Sequence, residues 1–333
     1  MKKIIFIISI AASIILAALF LSFPTEVTEN KNNDPGWVIS HKTAGLEYPE
    51  NTIEGFKASL EMDVQAIELD VHVIKNGGVV LHHDPVLSME NCFMNDEKKR
   101  IILAQSTIQS LSAIACTNKK LNKKYNLVPL EMFMELYTQT DMSKTLFLEI
   151  KVWDEIIEND PAHVGLDIKE MHFSDDYAAA AVLKVLKAYP NAENIILNTF
   201  SRSLLLELRR QARPDSPFEY ALIYKGKYSP KSMGILAFFL DLPCYRNCWA
   251  PDYKEVRGWM RQNNINIFIP NYPQLTFILF SKNFRKHILN DREGLLVFPW
   301  TLNKETEWEE YLSFDFDGIL TDRPLGFLNW HGK

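Results

Sequence analysis

Short apolar runs alternate with stretches of helical periodicity along most of the chain. The runs fall at 37–40, 66–71, 146–151, 195–199, 220–224, 266–269, 295–299 and 318–320, and their length suits strands. Ile53, Phe56 and Leu60 repeat at i, i+3 and i+7 and predict a helix. Asn51, with Glu54 three residues on, resembles its capping box. A second helix is expected over 177–188, where a run of alanines leads into Val182, Leu183, Val185 and Leu186, and others over 201–211 and 253–262. Eight strand candidates alternating with helices suggest an α/β protein built as a (β/α)8 barrel. An open doubly wound sheet would show the same pattern. A further run at 79–83 follows Lys75-Asn76-Gly77-Gly78. Asn-Gly favours a hairpin, so this strand should fold back on 71–74, as an insertion after the second strand and outside the barrel count.

The N-terminus breaks the alternation. After Met1-Lys2-Lys3, the stretch Ile4 to Phe23 is almost wholly apolar, and as a helix it would span roughly 30 Å, about one bilayer core. A polar stretch follows and ends in Asn33-Asp34-Pro35-Gly36. The chain is therefore divided into a transmembrane anchor or signal segment (1–23), a linker (24–36) and a barrel domain (37–333). No good cleavage site follows the apolar run, which favours an uncleaved anchor. The two lysines should stay cytoplasmic. That places the folded domain outside the cytoplasm and tied to the membrane; secretion or a periplasmic location after cleavage is the alternative. The net charge of −6 provides no basic field, so a nucleic-acid partner is not expected. The cysteines Cys92, Cys116, Cys244 and Cys248 form no CxxC pair, which argues against zinc. An exported compartment would permit disulfides. Cys92 with Cys116, and Cys244 with Cys248, are the expected pairs among the possible connectivities.

Two strands carry unusual polar residues. Side chains alternate along a strand, so Glu68 and Asp70 share a face opposite Ile67, Leu69 and Val71. Likewise Phe147, Glu149 and Lys151 share a face opposite Leu146, Leu148 and Ile150. Charges in a buried strand cost several kcal/mol unless paired or metal-bound. The three carboxylates could be salt-bridged interior residues, or oxygen donors for Ca²⁺ or Mg²⁺. His41 follows the first strand, and His83 ends the inserted one within His82-His83-Asp84-Pro85. His82 and His83 must point opposite ways if the strand stays regular, so one of them faces the site. His72 is in phase with Asp70 but lies further along. Two histidines beside a metal site offer an acid and a base for phosphoryl or acyl chemistry.

At this point a family resemblance emerges. His41-Lys42, Tyr48-Pro49-Glu50-Asn51-Thr52, Ile67-Glu68-Leu69-Asp70-Val71 and His83-Asp84-Pro85 are similar to the signature of the glycerophosphodiester phosphodiesterases. So are Val128-Pro129-Leu130-Glu131, Leu148-Glu149-Ile150-Lys151, Phe200-Ser201, Trp300-Thr301-Leu302-Asn303 and Gly318-Ile319-Leu320-Thr321-Asp322-Arg323-Pro324. They occur in the family's order from Trp37 to about Pro324.

The resemblance implies a distorted TIM-type barrel with its site at the C-terminal ends of the strands. It implies that Glu68, Asp70 and Glu149 bind one divalent cation, Ca²⁺ or Mg²⁺, and that His41 and His83 are the acid–base pair. Lys42, Asn51, Lys151 and Trp300 would line the substrate, although capping explains Asn51 equally well. The implied reaction is hydrolysis of a glycerophosphodiester to glycerol 3-phosphate and an alcohol, helped by a substrate hydroxyl adjacent to the phosphodiester. The family's His-Arg pair is His41-Lys42 here, which keeps the charge and loses the bidentate fork. A barrel phospholipase of lysophospholipase D type is the competing enzyme, and the apolar run Ile235 to Leu240 would suit its lysophospholipid substrate. A catalytically degenerate barrel kept as a cell-surface binding module is the non-enzyme alternative.

Overall fold

The apolar runs become strands that surround an apolar interior. In the computed structural model the described residues are 34–87, 92–93, 101–152, 168–212, 216–225, 253–276 and 280–332. The barrel strands are β1 (Trp37–Ser40), β2 (Ala66–Val73), β3 (Thr145–Ile150), β4 (Ile195–Thr199), β5 (Glu219–Tyr224), β6 (Ile267–Pro270), β7 (Leu296–Val297) and β8 (Gly318–Thr321). They follow one another as β7-β6-β5-β4-β3-β2-β1-β8, every neighbouring pair parallel. Backbone bonds join the two ends of that order. Asp317 N donates to Val297 O (3.1 Å), Leu320 N to Pro299 O (3.0 Å) and Leu302 N to Leu320 O (3.0 Å). The fold is the TIM-type α/β barrel expected from the alternation.

Parallel strands covered on both faces bury every side chain, and β2 is buried along its whole length. Ile67, Leu69, Val71, Leu146, Leu148, Ile195 and Leu197 point outward into the cluster that the helices cover. Ile39, Ala66, Phe147, Ile196, Ala221, Ile223, Ile267, Ile269, Phe298 and Leu320 fill the interior. Burying one such large side chain is worth about 1.5–3 kcal/mol, so the alternation fixes which face turns inward. The helix Asp175–Lys187 shows how the outer layer forms. Ala178, Ala179, Val182 and Leu186 are buried, while Asp175 and Asp176 occupy its first turn and Lys184 and Lys187 its last. That charge order complements the helix dipole.

Three local expectations change. Thr52, not Asn51, caps the helix Ile53–Glu61, its side chain accepting from Gly55 N. Asn51 sits at φ 57° and turns its amide toward β2, while Glu54 pairs with Lys123. The inserted strand ends at Leu81 instead of 83. It pairs antiparallel with β2 as expected, Val73 opposite Val79, and also with Val128–Pro129. Beyond it Asp84 N donates to His82 Nδ1 (3.0 Å), which bends the chain.

The membrane anchor is the third. Among the described residues no helix is long and apolar enough to cross a membrane. Residues 1–33, on which that expectation rested, lie outside the described residues. The exported, membrane-anchored location is therefore withdrawn. Within the insertion, Cys92 and Cys116 form the expected disulfide between adjacent antiparallel strands. Cys244, Cys248 and the run 235–240 also fall outside the described residues.

Candidate active site

The interior side chains change character toward the C-terminal ends of β2, β3 and β4. Asp70 on β2 is the register partner of Glu149 on β3, and Glu149 is that of Asn198 on β4. Glu68 lies one interior step below Asp70. All four are buried. Glu68, Asp70 and Glu149 each present an oxygen, and the three oxygens lie within 4.8 Å of one another. Lys151, just past β3, brings Nζ to 2.8 Å from Asp70 Oδ1 and 2.5 Å from Glu149 Oε1. Asn51 braces Asp70 from the other side. Its Nδ2 donates to Asp70 Oδ2 (2.9 Å), and Asp70 N donates to its Oδ1 (2.9 Å).

This crowding perturbs the acids. Burial and the neighbouring Asp70 charge push the Glu68 carboxyl up to about 8, against the pull of His41. Burial disfavours the Asp70 carboxylate too, but Lys151 overrides it and holds Asp70 well below the usual range. Lys151 is held above the ordinary lysine value by Asp70 and Glu149, against its own burial. Glu68 Oε2 accepts from Lys42 N (2.8 Å), whereas Oε1 has no hydrogen-bond partner among the described residues. One lysine does not balance three buried carboxylates. An orphaned carboxylate oxygen within an all-oxygen donor set fits a hard divalent cation such as Ca²⁺ or Mg²⁺.

A tight turn delivers the first histidine. Lys42, Thr43 and Ala44 all have positive φ (50°, 56° and 65°), which is unusual for residues with a Cβ. Gly55 permits that turn to nest against the following helix. A Cβ on Gly55 would come within 2.3 Å of Thr43 O. His41 is thereby set between two carboxylates. Its Nδ1 donates to Asp322 Oδ1 (2.6 Å), and its Nε2 lies 3.7 Å from Glu68 Oε2. Burial opposes charge on this ring, but Asp322 and then Glu68 outweigh it, raising the pKa to about 9. Asn303 fixes Asp322 in turn. Its Nδ2 donates to Asp322 Oδ2 (2.7 Å) and its Oδ1 accepts from Asp322 N (2.9 Å).

His83 lines the same cavity. Its Nδ1 lies 2.7 Å from Asp84 Oδ1, and its carbonyl accepts from Nε2 of the buried His72 (3.0 Å). Burial keeps that His72 ring neutral, its pKa pushed down to about 3. His82 is turned to the Asp84 backbone and is not among the cavity-lining residues. Lys42 reaches the cavity with Nζ 3.6 Å from Glu50 Oε2. Trp300 walls the opposite side, its Nε1 donating to Ile269 O (3.0 Å) and the Phe200 ring standing edge-on at 5.6 Å. The cavity of about 370 Å³ is thus two-faced. Most of the ionic groups line it from β1 to β3, and Phe200, Ile223, Ile269, Trp300 and Leu320 form an apolar wall on the remainder, interrupted by Lys225 and Asp322. That volume suits a small ligand.

Every residue proposed from the sequence except Asn51 lines this cavity or belongs to the carboxylate cluster beneath it. Both polar ends of Asn51 are engaged by Asp70. Sequence reasoning assigned no role to Asp322, Asn303, Asp84, Phe200 or Asn198. Asn198 carried a usable signal, being a polar residue at the inward phase of an apolar strand, as Glu68 and Asp70 are. Asp322 carried none of that kind, because it meets His41 across 281 residues of chain.

Oxygen donors for a hard cation beside a buried lysine suit a phosphoryl group. The chain belongs to the glycerophosphoryl diester phosphodiesterase family, whose sequence profile matches residues 41–325. A glycerophosphodiester phosphodiesterase of Caldanaerobacter subterraneus subsp. tengcongensis is 23% identical over 88% of this chain and 96% of its own. A lysophospholipase D of Mus musculus is 23% identical over 89% of this chain and 82% of its own. Two solved structures share the fold. One is a glycerophosphodiester phosphodiesterase from Parabacteroides distasonis (TM-score 0.60, 17% identity, 90% and 98% of the two chains). The other is a phosphodiesterase from Oleispira antarctica in complex with the product sn-glycerol-3-phosphate (TM-score 0.62, 16% identity, 89% and 97%).

Proposed function

We propose that this chain hydrolyses glycerophosphodiesters to glycerol 3-phosphate and an alcohol, using one divalent cation and a pair of histidines. The observation that carries the reading is the meeting of three buried carboxylates, Lys151, His41 and His83 around one cavity. Glu68, Asp70 and Glu149 would hold the cation, with Asn51 positioning Asp70. The bound cation supplies positive charge that offsets charge gathering on the phosphorus oxygens. Lys151 and Lys42 bind and orient the phosphate, and Trp300 packs against the substrate.

His83 takes the proton from the glycerol hydroxyl adjacent to the phosphodiester, whose oxygen then bonds to phosphorus. His41, kept charged by Asp322, gives its proton to the departing alkoxide. Water opens the resulting cyclic phosphate with the two roles exchanged, which restores both rings. Acid–base catalysis of this kind contributes about 10²–10⁴-fold.

The apolar wall favours a second reading, in which a lysophospholipid is the diester and its chain lies along Phe200, Ile223 and Ile269. The test is release of glycerol 3-phosphate from glycerophosphocholine by the full chain, lost in EDTA and restored by Ca²⁺ or Mg²⁺. Faster cleavage of lysophosphatidylcholine would transfer the assignment to the lipid substrate. No turnover of either with any divalent ion would leave a binding module.

A further inference from the structure

Asn198 is the one member of the polar row that the chemistry above leaves unused. It stands on β4 beside Glu149, fully buried, and lines the cavity. Neither Nδ2 nor Oδ1 has a hydrogen-bond partner among the described residues. A buried amide with both ends unmet destabilises a fold, so its place at the inward phase of β4, next to the apolar Ile196, calls for a partner from within the cavity. The next interior positions along that row, Ala221 and Ile267, are apolar, and Lys225, which lines the cavity just past β5, carries donors alone and offers nothing to Nδ2.

The chemistry of the missing partner follows from what is free. A cation would use only Oδ1, and a phosphate oxygen only the Nδ2 hydrogens. A hydroxyl both donates and accepts, so it engages both ends. Across the sheet the order is His41 after β1, the acids on β2 and β3, then Asn198 on β4. Asn198 therefore lies on the far side of the carboxylates from His41. A hydroxyl held there is remote from the ring that serves the leaving alcohol.

We propose that Asn198 is the specificity residue for the glycerol arm of the substrate, reading its distal hydroxyl, the one not adjacent to the phosphodiester. This rests on the phosphodiesterase reading above. A site that hydrogen-bonds a substrate hydroxyl discriminates strongly against the analogue that lacks it.

The experiment compares kcat/KM of the parent, Asn198→Leu and Asn198→Ala on two choline diesters, measured with saturating divalent ion. One is glycerophosphocholine. The other carries propane-1,2-diol, which keeps the adjacent hydroxyl and lacks the distal one. The parent should prefer the glycerol substrate by at least about tenfold. Both variants should reduce that preference to about threefold or less, with the loss falling on the glycerol substrate. Asn198→Leu replaces an unmet polar group by an apolar one of similar size, so its melting temperature should equal or exceed the parent's. A purely structural asparagine predicts a lower melting temperature and an unchanged preference, and that result overturns the proposal. A tenfold weaker calorimetric affinity for Ca²⁺ or Mg²⁺, with both substrates falling together, would make Asn198 a cation ligand and overturn it as well. A parent inert on both diesters would remove the phosphodiesterase reading itself, and this inference with it.

Discussion

Replacing Asp322 by Asn should disable His41 without moving it. The carboxylate lies 2.6 Å from His41 Nδ1, and the two side chains are only 17% and 10% exposed. His41 titrates at about 9 instead of 6.5, because Asp322 and Glu68 overcome the cost of burial. At about 1.4 kcal/mol per pH unit, that rise amounts to about 3 kcal/mol in favour of the charged ring. Asp322 is the larger of the two sources, so its loss should lower the His41 pKa by at least about one unit. The amide oxygen can still accept from Nδ1, and the bond from position 322 N to Asn303 Oδ1 remains, although the one from Asn303 Nδ2 is lost because the new NH2 is itself a donor; the ring should keep its place.

The assay is kcat/KM against pH on glycerophosphocholine, together with an NMR titration of the His41 ring. If His41 is the proton donor, the alkaline limb of the profile shifts to lower pH by about the same amount. Stability changes in the same window. A histidine whose folded pKa is raised stabilises fully below about 6.5 and loses that contribution as pH rises through about 9. The melting-temperature deficit of Asp322→Asn should therefore be largest near about pH 6 and fade toward about pH 10. An alkaline limb and a ring titration that both stay in place would refute the coupling.

Three further outcomes are expected. His83→Ala should lower kcat by at least about 10²-fold and His82→Ala far less, since only His83 lines the cavity; the reverse result in steady-state kinetics would show that the wrong ring was assigned. Lys42→Met should depress kcat/KM while Lys42→Arg preserves or raises it. A Met variant within about threefold of the parent, about 0.6 kcal/mol, would show that Lys42 does not bind phosphate and merely pairs with Glu50. Reduction of Cys92–Cys116, which closes a 24-residue separation, should cost the insertion about 3 kcal/mol and expose it to limited proteolysis. Unchanged cleavage after reduction, verified by mass spectrometry, would show that the bond does not restrain the insertion.

The hydrophobic pattern by itself determined the eight strand positions, the inserted hairpin and the shared face of Glu68 with Asp70, whereas closure into a barrel with that face inward was decided by the tertiary structure. Strand periodicity is local, and a charged residue in an apolar run cannot be buried without a partner, so the strands, the hairpin and the shared face are written in consecutive residues. The ordered motifs determined the family for the same reason, each being a few residues long. Other features depended on contacts between residues far apart in the chain. The acid at position 322 reaches His41 only because β8 closes against β1. Asn51 looked like a helix cap until Thr52 took that role and the asparagine amide turned to Asp70. His82 and His83 were separated by the bend at Asp84, not by strand alternation, because the strand stops at Leu81. That Asn198 stands beside Glu149 with its amide unmet became visible only when the register of β3 and β4 was known, since pairing between strands is decided by closure of the barrel and not by either strand alone.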